Sequence, residues 1–378
     1  MVTRHTAFSP DYRSACERFR QAALHLGWQV ETQPIGCLGP QGDELAFDVA
    51  ISPGGEPTKV LVVSSGLHGV EGFFGSAVQI SLLEHWARTT PPAVRCVFLH
   101  GLNPFGFAWL RRCDENNVDP NRNFLLLRDH CGKSPEDYAR LDPFLNPRRP
   151  PTRWEPFTLK ALLLIARYGM ASLQHSVASG QYQFPQGLFY GGAGPSRTQQ
   201  LLARHLPRWL AGSQCVVHLD FHSGLGPWGA GKLLIDYPLD ERQRRCLTDW
   251  HGVGSFEASD SSAVAYHARG GFGRWCVSGG LAPFYLFSCA EFGTWSPLRV
   301  LAGLRAENQA HHWGNPSDPS TIHAKEALKE LFCPADEEWR SQVVGRSMDL
   351  IGQSVRGLLE LELPDTRLAR TGQGHPPV

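Results

Sequence analysis

The sequence has no apolar stretch approaching the roughly 18 residues that a membrane-crossing helix needs. Its start, MVTRHTAFSPDYRSACERF, carries no apolar segment followed by a small-residue cleavage site, so it does not read as a signal peptide. An excess of one charge is missing too: 36 Lys and Arg balance 36 Asp and Glu, for a formal net charge of zero. That balance argues against a nucleic-acid surface and against a polybasic membrane anchor. The ten cysteines never form a C-x-x-C pair, which excludes a zinc ribbon and offers no disulfide framework. Most sit in apolar runs, such as Cys96 in VRCVFLH and Cys215 in CVVHLDF, and read as small core residues. A reducing, cytoplasmic compartment is the expectation. Two enzyme signatures are lacking as well. No G-x-S-x-G elbow marks a serine hydrolase, and Ser223 beside His222 has no strand–turn–helix context. The glycines after Ser65 do not follow the G-x-G-x-x-G dinucleotide pattern.

What remains is a chain of 378 residues with 42% apolar content, enough for a large core. Short β-like runs recur: LAFDVAI (45–51), VLVVSS (60–65), VRCVFLH (94–100), CVVHLDF (215–221), KLLIDY (232–237) and APFYLFSCAE (282–291). A helical stretch over 74–88 lies between the second and third, which makes a parallel crossover unit. A helix is also expected over 11–27, with others over 156–179 and 196–211. Near-continuous apolar strands separated by helices predict an α/β fold with a mixed, largely parallel sheet covered on both faces. We expect a single catalytic domain over 1–365. The Pro- and Arg-rich stretch from Cys131 to Trp154 opens an insertion, 128–200, read as a lid or pocket wall. The tail 366–378 reads as disordered.

In open α/β sheets, ligands sit in the crevice beyond the carboxyl ends of the strands. Three polar positions meet that condition. They are His68 and Glu71 after VLVVSS, His222 at the end of CVVHLDF, and Glu291 after APFYLFSCA. Two histidines and a carboxylate, with a fourth position left for water, form the ligand set of a hydrolytic zinc site. Glu291 would then be free to act as general base. A second segment, NPFGFAWLRRCDENNVDPNRNF (103–124), gathers Arg111, Arg112, Asp119, Asn121 and Arg122 after the strand VRCVFLH. Arginine suits a pocket for a substrate carboxylate, because its planar fork grips that group at two points.

Four ordered pieces therefore stand at strand ends: H-x-x-E, N-P-x-G with an Arg-rich turn and D-x-N-R-N-F, D-x-H-S, and a late strand ending in Glu. Together they make the chain resemble the zinc carboxypeptidases over roughly residues 45–300. The stretches HSGLGPWGAG and EFGTWSP look closer to a bacterial branch of carboxypeptidase-like proteins than to the digestive enzymes. The acyl-amino-acid hydrolases aspartoacylase and succinylglutamate desuccinylase share the same pieces. The resemblance implies a three-layer α/β/α carboxypeptidase-like fold and one zinc per chain, held by His68, Glu71 and His222. It implies Glu291 as general base and, from the Arg111–Arg112 pair, Arg112 as the residue polarising the scissile carbonyl. Asn121 and Arg122 would receive the substrate carboxylate, with Arg111 a further substrate-binding residue. Asp119 would orient the first zinc histidine. Asp220 shares a strand face with His222 by period-two alternation and is a candidate for a similar place. Tyr266 is the best positional match for the family's substrate-binding tyrosine.

The expected activity is hydrolysis of an amide bond next to a free carboxylate, on a small peptide. An N-acyl-amino-acid deacylase using the same apparatus is the nearer alternative, and a non-catalytic binding protein the farther one. Other histidines read as structural: His218 as core or support, His311 and His312 as surface, His100 as a weak alternative ligand.

Overall fold

A computed structural model describes residues 4–126, 136–152, 154–169, 173, 179–258 and 269–363. Its strands are β1 (Gln29–Leu38), β2 (Glu44–Ile51), β3 (Glu56–Ser65), β4 (Val94–His100), β5 (Cys215–Trp228), β6 (Gly231–Ile235), β7 (Phe256–Ala258) and β8 (Phe284–Gly293). They form one sheet in the order β1-β2-β4-β3-β5-β8-β6-β7. The central ladders β4/β3, β3/β5 and β5/β8 are parallel, while β1, β2 and the β6 edge of β8 run antiparallel. All six expected strands are present. The two outermost, β1 and β7, escaped the sequence reading. β1 alternates exposed and half-buried residues such as Gln29, Glu31 and Gln33, so it lacks the apolar run that marks an inner strand.

The helices are α1 (Tyr12–His25), α2 (Gly72–Trp86), α3 (Pro104–Ala108), α4 (Glu136–Leu145), α5 (Phe157–Tyr168) and α6 (Arg197–Trp209), followed by α7 (Glu241–His251), α8 (Phe272–Ser278), α9 (Pro297–Trp313), α10 (Pro319–Phe332) and α11 (Glu337–Glu360). Helix α2 completes the expected crossover from β3 to β4. It is buried on nearly every side, as an apolar stretch without a polar face must be. The expected helix over 156–179 is described only as α5; its later part and the tail 366–378 lie largely outside the described residues.

Helices lie on both faces, and ring contacts show how they divide. Phe221 of β5 points to α2 and meets Phe74, with ring centroids 6.2 Å apart. His218, of opposite parity on the same strand, points the other way and meets Phe272 of α8 at 5.5 Å. Period-two alternation thus sends Ser64, His218, Asp220, His222, Cys289 and Glu291 to one face. The ladders place Ser64 beside Asp220, Asp220 beside Cys289, and His222 beside Glu291.

The turn after β3 is built around glycine. Gly66 has φ +68°, a left-handed conformation that a side chain disfavours. Gly69 touches neighbouring backbone: a Cβ there would lie 2.1 Å from the Gly106 carbonyl carbon and 2.2 Å from the Phe107 nitrogen. Hydrogen bonds from Val70 N to Arg111 O (2.7 Å) and from Gly69 N to Arg112 O (3.3 Å) fasten the turn to the loop after α3. Gly69→Ala should therefore cost about 1–3 kcal/mol, as overpacking does, and lower the thermal midpoint. Gly54→Ala, where a Cβ would meet nothing within 4 Å, should change stability by less than about 0.5 kcal/mol. Thermal unfolding of the two variants checks both.

Candidate functional site

Just beyond Ser65, the short turn Gly69–Glu71 aims His68 and Glu71 into the crevice between β3 and β5. Glu71 is buried and bridges two histidines. Its Oε1 lies 2.9 Å from His68 Nδ1 and its Oε2 lies 2.9 Å from His222 Nδ1. The Ser223 backbone N–H also donates to Oε2, at 3.2 Å. Donor atoms of His68, Glu71 and His222 all fall within 4.8 Å of one another.

Each imidazole uses its far nitrogen on a second carboxylate. His68 Nε2 stands 3.1 Å from Asp119 Oδ1, and His222 Nε2 stands 2.6 Å from Asp220 Oδ2. Such partners set the ring orientation and the tautomer of a metal-ligating histidine. Asp119 is itself held by the Asn121 N–H (3.1 Å) and by Arg112 Nε (3.0 Å). Arg112 Nη1 reaches Glu71 Oε1 at 3.4 Å, and its guanidinium lies 5.8 Å from the centre of the Phe189 ring.

The electrostatics follow from burial and pairing. Burial alone would raise the Asp119 carboxyl, but Arg112 and His68 outweigh it and hold it well below the ordinary range. Glu71 is likewise lowered, its desolvation overcome by His68 and His222. Asp220 is lowered because His222 offsets its burial. Conversely, burial would lower His222, yet Asp220 and Glu71 raise it well above the usual histidine value. Glu291 is pushed up to about 7, first by burial and then by the Glu71 carboxylate. Four buried carboxylates (Glu71, Asp119, Asp220, Glu291) thus gather with the buried Arg122 guanidinium and the partly buried Arg112 guanidinium. Two imidazole nitrogens and a carboxylate oxygen converging in this way suit a divalent cation with nitrogen and oxygen ligands.

Glu291 stands beside His222 in the β5/β8 ladder, and its Oε1 accepts the Leu225 N–H at 2.8 Å. A second donor group, His222, Cys289 and Glu291, also falls within 4.8 Å, so Cys289 borders the same crevice. Asn121 and Arg122 lie on the short turn Pro120–Arg122 that Asp119 caps. Asn121 Oδ1 accepts the Phe272 N–H at 3.0 Å, and Arg122 Nη1 donates to the Asn121 carbonyl at 2.8 Å. Among the described residues, Arg122 Nε is buried without a hydrogen-bond partner.

Arg111 is placed elsewhere. Its guanidinium is buried against Glu307 (2.9 Å) and Asn117 (2.8 Å), in a network that also contains Lys325. Tyr266 lies outside the described residues. His311 and His312, expected at the surface, are half-buried near that Arg111 network and pushed down to about 3 and about 4, mainly by burial. His100 is buried against Ser76 on the far side of the sheet centre and takes no part in the crevice.

Several residues around the crevice carried no sequence signal. Phe189 holds a left-handed backbone (φ +59°) while packing with Val70 and Phe332. The insertion is bonded to the site through Asp119 N to Tyr190 O (2.7 Å) and Tyr182 Oη to Arg122 O (2.7 Å). Tyr182 and Tyr190 are thereby tied to the turn that carries Asp119 and Arg122.

About one metal ion per chain is expected, measured by elemental analysis after stripping with a chelator and reconstitution with a zinc salt. His68→Ala and His222→Ala should each abolish that stoichiometry, whereas Arg111→Lys should retain it.

A family model described as "Protein of unknown function (DUF2817)" matches residues 8–346. No curated protein matches the chain in sequence. Among solved structures, bovine thrombin-activatable fibrinolysis inhibitor in complex with tick carboxypeptidase inhibitor is similar at a TM-score of 0.51 and 10% identity, over 93% of this chain and 97% of that one. An aspartoacylase family protein from Mesorhizobium loti MAFF303099 is similar at a TM-score of 0.37 and 14% identity, over 81% of this chain and 68% of that one. The expected carboxypeptidase-like α/β architecture is borne out by the bovine structure and by the mixed sheet.

Proposed function

The chain belongs to the DUF2817 family, and from that premise we propose that it is a metal-dependent hydrolase cleaving an amide bond next to a free carboxylate. The observation that supports this reading is the joint placement of three convergent ligand atoms and a separate carboxylate beside them, with the unpaired Nε of Arg122 on the turn that Asp119 caps. Zinc is the metal we propose, held by His68, Glu71 and His222. When bound there it would polarise the scissile carbonyl and bring the acidity of a water molecule toward a pKa of about 7.

The chain's own residues supply the rest. Glu291 is not needed as a ligand, and one of its oxygens is fixed by the Leu225 N–H. The other is free to take a proton from the attacking water and deliver it to the leaving amine. Burial places that proton transfer in a site where a carboxyl group can hold or release a proton near neutrality. Arg112 spends Nε on Asp119 and Nη1 on Glu71, which leaves Nη2 for the oxygen that becomes negative during attack. Asn121 keeps Nδ2, and Arg122 keeps Nε and Nη2, for the substrate carboxylate. Asp119 and Asp220 orient the two imidazoles.

Glu291→Gln should retain the metal while losing at least about 100-fold in kcat, the usual contribution of a general base. Turnover near wild type would place the base elsewhere. Arg122→Gln should act mainly through KM for substrates with a free carboxylate and leave carboxyl-amidated analogues unaffected. A side-by-side panel of short peptides and N-acyl amino acids identifies the amide cleaved. No hydrolysis of either class, with ligand binding unchanged in Glu291→Gln, would favour a binding protein instead.

A further inference from the structure

Behind His222 runs a chain of buried polar groups that the reading above leaves unused. Asp220 Oδ1 receives a hydrogen bond from Ser64 Oγ at 2.6 Å. Ser64 Oγ also lies 2.7 Å from His218 Nε2, and His218 Nδ1 lies 2.9 Å from Tyr285 Oη. Tyr285 in turn meets the Cys276 thiol. Ser64, His218 and Cys276 are fully buried, and Asp220 and Tyr285 nearly so, so water does not compete for these bonds. All four sheet residues stand on one face, which is why a contact three strands wide can form at all.

The hydrogens in this chain can point only one way. A carboxylate can accept but not donate, so the single hydroxyl hydrogen of Ser64 goes to Asp220. His218 must then donate from Nε2 to the Ser64 oxygen. Burial keeps His218 neutral, with its pKa lowered to about 4, so its Nδ1 bears a lone pair that accepts from Tyr285. At the other end, Asp220 has Oδ1 occupied by Ser64 and turns Oδ2 to His222 Nε2. With the Nε2 hydrogen committed to Asp220, Nδ1 is the His222 nitrogen that faces Glu71, donating to its Oε2 here and left as the one nitrogen that could give its lone pair to an ion.

We propose that Ser64, His218 and Tyr285 are positioning residues for the metal, forming a one-way hydrogen-bond chain that fixes Asp220 and so presents the Nδ1 of His222 to the ion. The proposal rests on His222 being a ligand. It makes the strength of metal binding depend on a tyrosine two residues removed in the chain of contacts from the carboxylate that touches His222.

Zinc affinity of the full-length protein, measured by competition with a chromophoric chelator, tests it. Ser64→Ala should weaken zinc binding about 10- to 100-fold, the range for outer partners of metal ligands. Tyr285→Phe should weaken it by a smaller factor in the same direction. Because Tyr285 acts only through His218 and Ser64, the double variant should bind zinc within about twofold of Ser64→Ala, whereas independent contributions would multiply. The visible spectrum of the cobalt-substituted protein should shift in Ser64→Ala and in Tyr285→Phe, which a purely structural role would not produce. If Ser64→Ala does not fold, the affinity and cobalt spectrum of Tyr285→Phe decide the matter alone. Unchanged zinc affinity in a folded Ser64→Ala, or multiplicative losses in the double variant, overturns the chain while leaving the ligands standing. Failure of the wild type to take up zinc overturns the ligand assignment and the chain with it.

Discussion

Glu71 has both carboxylate oxygens committed to imidazoles, one from the turn after β3 and one from β5, in a place that water scarcely reaches. An ionised carboxylate is expensive to bury unless its charge is answered at close range. Here the answer is distributed: His68, His222, the Ser223 amide and Arg112 all converge on it. Each of those groups is in turn tied to a further acid or to backbone, so moving one disturbs the rest. The crevice is in this sense a single electrostatic unit whose residues come from the turn after β3, from β5 and β8, and from the loop after β4.

Backbone geometry makes the unit possible. The turn carrying His68 and Glu71 approaches the chain at Gly106 and Phe107 so closely that only a glycine fits at position 69. That approach lets amides of the turn bond to the carbonyls of Arg111 and Arg112. One consequence is that Arg112 swings over Glu71 while its neighbour Arg111 is sent the opposite way, into an ion pair with Glu307. Two adjacent arginines thus have unrelated surroundings, one at the crevice and one in a buried structural network. On the sheet side, strand alternation stacks Ser64, Asp220 and Cys289 in one row and His222 with Glu291 in the next. The row behind His222 and Glu291 then holds the carboxylate of Asp220 that fixes His222.

Much of this was legible in the chain itself. The inner strands announced themselves by apolar runs, because a strand covered on both faces has no polar side to show. The crossover helix α2 followed from the apolar stretch between two of them. Strand-end placement singled out His68, Glu71, His222 and Glu291, since the crevice of such a sheet lies where those strands finish. Less accessible were features that depend on distant contacts. β1 is half-exposed and has an ordinary polar composition. His311 and His312 are half-buried at the end of a helix whose Glu307 and Asn308 hold Arg111 from a distant loop. Phe189 has no neighbouring motif; its left-handed backbone and its contact with the Arg112 side exist only once the insertion packs against the crevice.

By itself, then, the sequence determined the α/β class, the parallel core and the short list of polar residues at strand ends. These are consequences of local periodicity, which the order of residues carries directly. Only the tertiary structure decided which arginine faces the crevice, which oxygen of Asp220 serves His222, and that Tyr182 and Tyr190 bond to the turn of Asp119 and Arg122. Those outcomes depend on distances between segments far apart in the chain, set by turn geometry and by the need to pair every buried charge.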